Sequence, residues 1–224
     1  MRLALTLLAA TALTTPVALA DSMLSSMHTT FYVGVDVGAS LADSSENLYS
    51  WESGDQGVID NSDSSFFLGA HVGVDFPFGQ YFVGAEAGYE LMNHSAQSPN
   101  QPYGGAQVGQ DVDGLATFLL RAGGNVCDDT RLFALGGLAY TRETVRLRDE
   151  TTHTADTDDV WGDGWAYGVG IDHKLDERWA VRVEYLHVET KSDAHTFLAE
   201  ETEDYFSHNK FDADLIRIGA DYAF

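Results

Sequence analysis

The chain has 224 residues, with 35 acidic and 12 basic side chains and a formal net charge of −23 at pH 7. This balance excludes nucleic acid as a partner, because its phosphates require lysine and arginine opposite them. The 22 glycines and only four prolines, together with frequent aromatics, favour strands over helices. A single cysteine, Cys127, excludes an internal disulfide and a thiolate zinc site.

The first 20 residues have the layout of a secretory signal peptide. A basic start at Arg2 precedes the apolar stretch 3–13, and the small residues Ala18 and Ala20 predict cleavage before Asp21. We therefore expect an exported protein, with residues 21–30 as a short periplasmic tail. An uncleaved membrane anchor is the alternative, but the apolar stretch is short, and no later stretch approaches the roughly twenty residues of a spanning helix.

Seven segments alternate between apolar and polar or small residues with a period of two, which is typical of strands with one apolar face, and an eighth, 131–141, is strand-like although its two faces are harder to tell apart. They predict strands of about ten residues, the length that a tilted membrane strand requires. In chain order the segments are 31–38, 66–76, 81–90, 116–122, 131–141, 165–172, 179–186 and 215–224.

The connections alternate between short and long. The short ones are 77–80, 125–130 and 173–177, and the long polar ones are about 40–64, 91–113, 143–163 and 189–213. This alternation places all long loops at one end, as in an outer-membrane barrel with periplasmic turns. We predict an all-β fold over 31–224, an eight-stranded antiparallel up-and-down transmembrane β-barrel. A soluble sandwich would not need this segregation.

The inner face of such a barrel is predicted to hold charges of both signs, paired in a network that closes the lumen. Its expected members are Asp36, His71, Glu86, Arg121, Arg182, Glu184, Arg217 and Asp221, and Asp75 and Glu90 share their inward parity. Many inward glycines leave room for these side chains. We expect Arg182 to pair with Asp221 at the same depth, and a double replacement of the two to recover most of the stability lost by replacing Arg182.

Two stretches carry a family resemblance. Residues 164–175 with 178–185 resemble the penultimate hairpin of opacity-type surface antigens, the small outer-membrane barrel family that includes the transmembrane domain of outer-membrane protein A. The terminal strand, with Ile218, Ala220, Tyr222 and Phe224, resembles the insertion signal read by the barrel assembly machinery. The resemblance implies the fold and an outer-membrane location. It leaves function open, because members serve as adhesins, serum-resistance factors, anchors and narrow channels.

Enzymatic and metal sites are poorly supported by the sequence. Lipid A deacylases use His-x-Ser-Asn, and here His187 is followed by Glu189 in place of the serine and Thr190 in place of the asparagine. The acid-rich segment 156–163 fails the calcium-loop spacing; it is read as a solvated acidic loop, with loose divalent-cation binding as the alternative. We expect no catalytic residues, no metal and no cofactor.

The leading hypothesis is a non-enzymatic outer-membrane barrel with a structural or surface-interaction role, in which the acidic outer loops perform any recognition. A narrow channel for ions or small solutes is the alternative, and a lipid A-modifying enzyme is a remote one. Expected partners are outer-membrane lipid and lipopolysaccharide, the barrel assembly machinery, and a host or surface ligand at the loops. The barrel is expected to be a monomer.

Overall fold

The computed structural model describes residues 29–50, 56–97, 106–149, 154–197 and 204–224. Eight antiparallel strands form a closed barrel in sequence order, and the first strand pairs with the last. The strands are β1 Thr30–Ser50, β2 Gln56–Phe78, β3 Tyr81–Gln97, β4 Ala106–Cys127, β5 Thr130–Asp149, β6 Thr154–Lys174, β7 Trp179–Phe197 and β8 Asp204–Ala223. The predicted fold class is confirmed. None of the described residues forms a helix that could cross a membrane.

The strands are much longer than the sequence pattern predicts. They contain 17 to 23 residues, so most of the residues that we expected in long loops continue the strands instead. In the first hairpin, for example, pairing continues from Ser40↔Ser65 up to Tyr49↔Gln56. The sequence of these outer segments is mostly polar, so the period-two signal fades although the backbone ladder continues. The predicted loop 156–163 likewise belongs to β6.

Three short connections lie at the other end, as predicted. The first is a two-residue hairpin at 79–80, where Gly79 has a φ of 66° that other L-residues rarely adopt. The third connection, 175–178, is fixed by Asp176, which accepts hydrogen bonds from the backbone N–H groups of Arg178 and Trp179 at 2.7 and 2.8 Å. These two bonds lower the pKa of the exposed Asp176 carboxyl.

Side chains alternate strictly between a buried inner face and an exposed outer face over most of the wall. On β1, for example, Tyr32 and Asp36 are buried while Val33 and Val35 are exposed. Register shifts interrupt the pairing between Leu91 and His94 in the β3–β4 pair and between Val112 and Gly114 in the β4–β5 pair. Because the barrel is closed, its backbone groups are paired between strands and need no partner in lipid. The exposed apolar side chains of the outer face contact the lipid.

Many of the exposed aromatics lie at two levels of the wall, as interfacial girdles require. Phe31, Tyr81, Trp179 and Phe224 mark the end with the short turns. Phe66, Tyr89, Trp165 and Tyr185 mark the other level. The short periplasmic tail that we expected over 21–30 lies mostly outside the described residues, except that β1 already begins at Thr30.

Candidate functional site

The lower part of the lumen, toward the short turns, contains one network of ion pairs and hydrogen bonds to which all eight strands contribute. We call it the lumen charge network. Its charged members are Asp36, His71, Asp75, Glu86, Glu90, Arg121, Arg131, Asp172, Arg182, Glu184, Arg217 and Asp221. All except Arg131 are buried. Charges removed from water in this way are stable only when opposite charges and hydrogen bonds surround them.

Glu86 on β3 lies at the centre of the network. Its Oε2 accepts hydrogen bonds from Arg182 Nη1 at 2.6 Å and from the Tyr32 hydroxyl at 2.8 Å. Its Oε1 accepts from Arg217 Nη2 at 3.2 Å, and Arg121 Nη1 lies 3.4 Å from Oε2. Arg121 also donates to the Tyr32 hydroxyl. One carboxylate therefore holds three buried guanidinium groups that would otherwise repel each other.

Arg182 and Asp221 are in contact, with Arg182 Nη2 2.7 Å from Asp221 Oδ2. Arg182 also contacts Glu86, Asp172 at 3.2 Å and Glu184 at 3.5 Å. The expected recovery of stability in the double replacement assumed an isolated pair, and these further contacts contradict that assumption.

Two further arginines form ion pairs at the upper and the lower edge of the network. Arg217 on β8 reaches Glu90 Oε1 at 2.5 Å and Glu184 Oε2 at 2.9 Å. At the lower edge Arg131 joins Asp75 at 3.0 Å and Asp172 at 2.8 Å.

Arg131 and Asp172 are members of the network that we did not predict from the sequence. The alternation of β6 gives Asp172 the same inward parity as Gly170, so the pattern contained the signal for that residue. Arg131 had no such signal, because the residues after it, 132–135, are all apolar and give β5 no clear inner face.

His71 links two carboxylates on the strands at the seam of the barrel. Its Nδ1 lies 3.0 Å from Asp36 Oδ2 on β1, and its Nε2 lies 2.8 Å from Asp221 Oδ1 on β8. Both contacts are hydrogen bonds only when both ring nitrogens carry a proton. Gly34 makes room for this bridge, because a Cβ at that position would overlap the His71 ring and the Asp221 carboxylate.

The lumen above the charge network contains a group of buried apolar side chains that the sequence pattern did not predict, together with a buried polar group of Thr141, Glu143, Thr190 and Ser192. Leu115, Leu119, Leu186, Val188 and Leu215 are fully or almost fully buried there. We call these residues the upper apolar layer. Aromatic side chains also fill the lower lumen, where the Arg121 guanidinium carbon lies 4.1 Å from the centre of the Phe133 ring. Side chains therefore fill the lumen at two successive levels, as an eight-stranded barrel allows.

A polar cluster around His187 lies on the outer face. His187 Nδ1 lies 2.7 Å from Asp214 Oδ1, and the Tyr185 hydroxyl donates to the same oxygen at 2.7 Å. The other ring nitrogen lies 3.4 Å from Glu189 Oε1. These partners can hold an imidazolium, but a carboxylate cannot replace the serine nucleophile of a deacylase.

The remaining predicted sites fall into three groups. Ala18 and Ala20 lie outside the described residues. Ile218, Ala220, Tyr222 and Phe224 lie on the outer face of β8 and beyond its end, and their role in insertion stays a prediction. Within the part of the chain that the structure describes, no group of three or more His, Cys, Asp or Glu side chains could hold a metal ion.

The architecture is that of an outer-membrane β-barrel, and comparison with known proteins agrees. The chain belongs to the outer membrane protein beta-barrel domain family, which matches residues 5–224. The location is therefore the outer membrane. The 31 kDa outer-membrane immunogenic protein of Brucella melitensis is 24% identical over 115 residues, 50% of this chain and 46% of the relative. The chain thus matches about half the length of that curated relative.

Two solved structures share the fold. The outer membrane protein OprG from Pseudomonas aeruginosa has a TM-score of 0.65 and 19% identity, with 88% of this chain and 97% of that chain covered. The outer membrane protease OmpT from Escherichia coli has a TM-score of 0.51 and 11% identity, with 87% and 97% covered. At these identities the likeness shows the fold alone.

Proposed function

We propose that this protein is a closed, non-enzymatic outer-membrane barrel with a structural or surface-interaction role. The observation that supports this most directly is the filled lumen, with its charge network below and its upper apolar layer above. A barrel whose interior is occupied by its own side chains offers the outer strand ends, and not the interior, for contact with other molecules.

The outer hairpins are the surface that we propose for recognition. Their strands stay paired above the aromatic level, so the described part of these hairpins continues as two-stranded ribbons. The first hairpin is acidic throughout: it contains Asp43, Glu46, Glu52, Asp55, Asp60 and Asp63 and no lysine or arginine. The Brucella relative is named an immunogenic protein, which agrees with a surface-exposed role for its own chain.

Trimming the first hairpin should abolish surface binding and leave the barrel intact. In the trimmed variant, residues 44–61 are replaced by an Asn-Gly turn that joins Asp43 to its partner Ser62. We expect at least a tenfold loss of adhesion when a non-adherent laboratory host displaying the protein is tested on epithelial cells and immobilised serum proteins.

The matched control trims the β5–β6 hairpin between Thr144 and its partner Asp159 in the same way. Folding of each variant is verified by its faster migration without boiling on a detergent gel. Unchanged adhesion of both trimmed variants, at normal surface levels, would contradict a recognition role for these hairpins.

A narrow channel is the competing function, and conductance decides between the two. We expect the purified wild-type barrel to add no steady ion current to a planar bilayer, because the side chains around Glu86 and the upper apolar layer occupy the lumen at two levels. A general porin reconstituted in parallel shows that insertion would be detected. Reproducible single-channel steps from the wild-type protein would replace the closed-barrel proposal with the channel.

Lipid A modification is the remaining alternative. The outward position of His187 agrees with such chemistry, but its contacts with Asp214 and Glu189 supply no nucleophile. We therefore retain the non-enzymatic proposal. An altered lipid A mass on overexpression would contradict it.

A further inference from the structure

A shallow apolar groove crosses the lipid-facing wall of the barrel. It has a volume of about 590 Å³, which lies within the range of small-molecule binding sites. Small side chains, including Ala70, Ala87 and Ala220, form its floor, and Trp179, Tyr222 and Tyr89 stand at its ends.

The strand register shows how the groove runs. One row of outward residues follows the pairs Trp179↔Tyr222, Tyr222↔Val33, Val33↔Val72 and Val72↔Ala87, and the neighbouring row starts at Ala220 and ends at Tyr89. Trp179 is the first residue of β7, at the level of the short turns, whereas Tyr89 lies well inside β3. The groove therefore rises diagonally from the periplasmic rim toward the middle of the membrane.

A cation lies at the periplasmic end of this groove. Arg178 Nη1 donates to the Tyr222 hydroxyl at 3.0 Å, and the Tyr222 ring lies 5.1 Å from the Trp179 ring. The nearby carboxylate of Asp176 accepts from the backbone of the turn. The guanidinium is exposed, so its remaining donors are available to an anion at the level of the lipid headgroups.

We propose that the groove binds one glycerophospholipid of the periplasmic leaflet. One acyl chain would lie along the alanine floor, and the phosphate would accept hydrogen bonds from Arg178, beside the amphipathic rings of Trp179 and Tyr222. This site is separate from the outer hairpins, so its test does not depend on the proposed surface role.

A neighbouring groove provides an internal comparison. It has about 510 Å³, shares the ridge of Val33, Val72 and Ala87, and has Ala85 in its own wall. Its periplasmic end is formed by the stacked rings of Phe31 and Phe224, with centres 6.4 Å apart. These rings offer no donor to a phosphate, so this second groove has similar apolarity without the headgroup contact.

The test uses quenching of Trp179 by brominated lipid. The full-length chain, with Trp51, Trp161 and Trp165 replaced by phenylalanine, is folded in maltoside micelles and titrated with phosphatidylethanolamine that carries dibrominated acyl chains. This lipid is zwitterionic, so general charge attraction does not contribute. We expect quenching to saturate at about one lipid per barrel. Brominated diacylglycerol lacks the phosphate, so its concentration at half-saturation should be roughly tenfold higher.

Three variants locate the site. Arg178→Gln should raise the half-saturation concentration roughly tenfold, Ala220→Leu should raise it by filling the floor, and Ala85→Leu in the neighbouring groove should leave it unchanged. If Ala220→Leu fails to fold, Arg178→Gln and the diacylglycerol titration still test whether the groove binds the lipid through its phosphate. Non-saturating quenching, or equal titration of Arg178→Gln and the parent chain, would overturn the proposal.

Discussion

Replacing Glu86 with glutamine is expected to lower the free energy of unfolding by about 3–5 kcal/mol, the cost of leaving buried charges without their partner. Glutamine preserves the size of the side chain but removes the negative charge that faces Arg121, Arg182 and Arg217. Its amide nitrogen would in addition point a donor at guanidinium donors.

The measurement is urea unfolding in lipid vesicles, with the folded fraction read from the gel shift without boiling. Glu189→Gln is the matched control, because the Glu189 side chain is 48% exposed on the outer face and its pairing with His187 is solvent-screened. The control should cost less than about 1 kcal/mol. Similar losses in the two variants would show that the charge network contributes little to stability.

The second large effect concerns Arg182 and Asp221. Arg182→Met should lower the free energy of unfolding by about 3–5 kcal/mol, and the double variant Arg182→Met, Asp221→Leu should be at least as unstable. Replacing Asp221 removes one unpaired carboxylate, but Glu86 and Asp172 have also lost Arg182 and keep their negative charge. It also takes one of the two carboxylates from His71.

Arg142→Met is the control for the Arg182 variants, because it breaks an exposed ion pair. The ion pair of Arg142 with Asp159 has a 3.2 Å contact, but both side chains are about half exposed, so we expect a loss below about 1 kcal/mol. Recovery of the Arg182→Met, Asp221→Leu variant to near wild-type stability would show that this pair is energetically isolated from the rest of the network.

The sequence predicted the fold because one physical constraint governs the membrane-spanning part. Lipid on one side and a packed lumen on the other impose a period of two, so the orientation of residues such as His71 and Arg217 could be read directly. Above the aromatic level the sequence of the strands is mostly polar, and the pattern no longer distinguishes a strand from a loop. For that reason the outer ends of β1 and β2 were placed about ten residues too low.

Most members of the charge network could be predicted from parity, but, apart from the contact of Arg182 with Asp221, their partners could not. Parity indicates that Arg182 points inward, but not that its guanidinium reaches β3 across the lumen to contact Glu86. Such contacts depend on strand tilt and on side-chain length, which the alternation of residues does not encode. The upper apolar layer escaped prediction for a related reason, since Leu186 beside Tyr185 breaks the contrast between the two faces.

The bridge through His71 has a consequence for how the barrel closes. A slip of two residues between β1 and β8 preserves the inward and outward parity, so the lipid-facing side chains barely oppose it. Such a slip would bring Gly219 or Ala223 to the place where Asp221 faces His71. It would separate the His71 imidazole from the Asp221 carboxylate, whereas Arg182 on β7 would keep its place beside Asp221 on β8. The polar contacts in the lumen thus stabilise one β1–β8 register over others that are equally compatible with the apolar outer face. These contacts form only when the first and last strands pair.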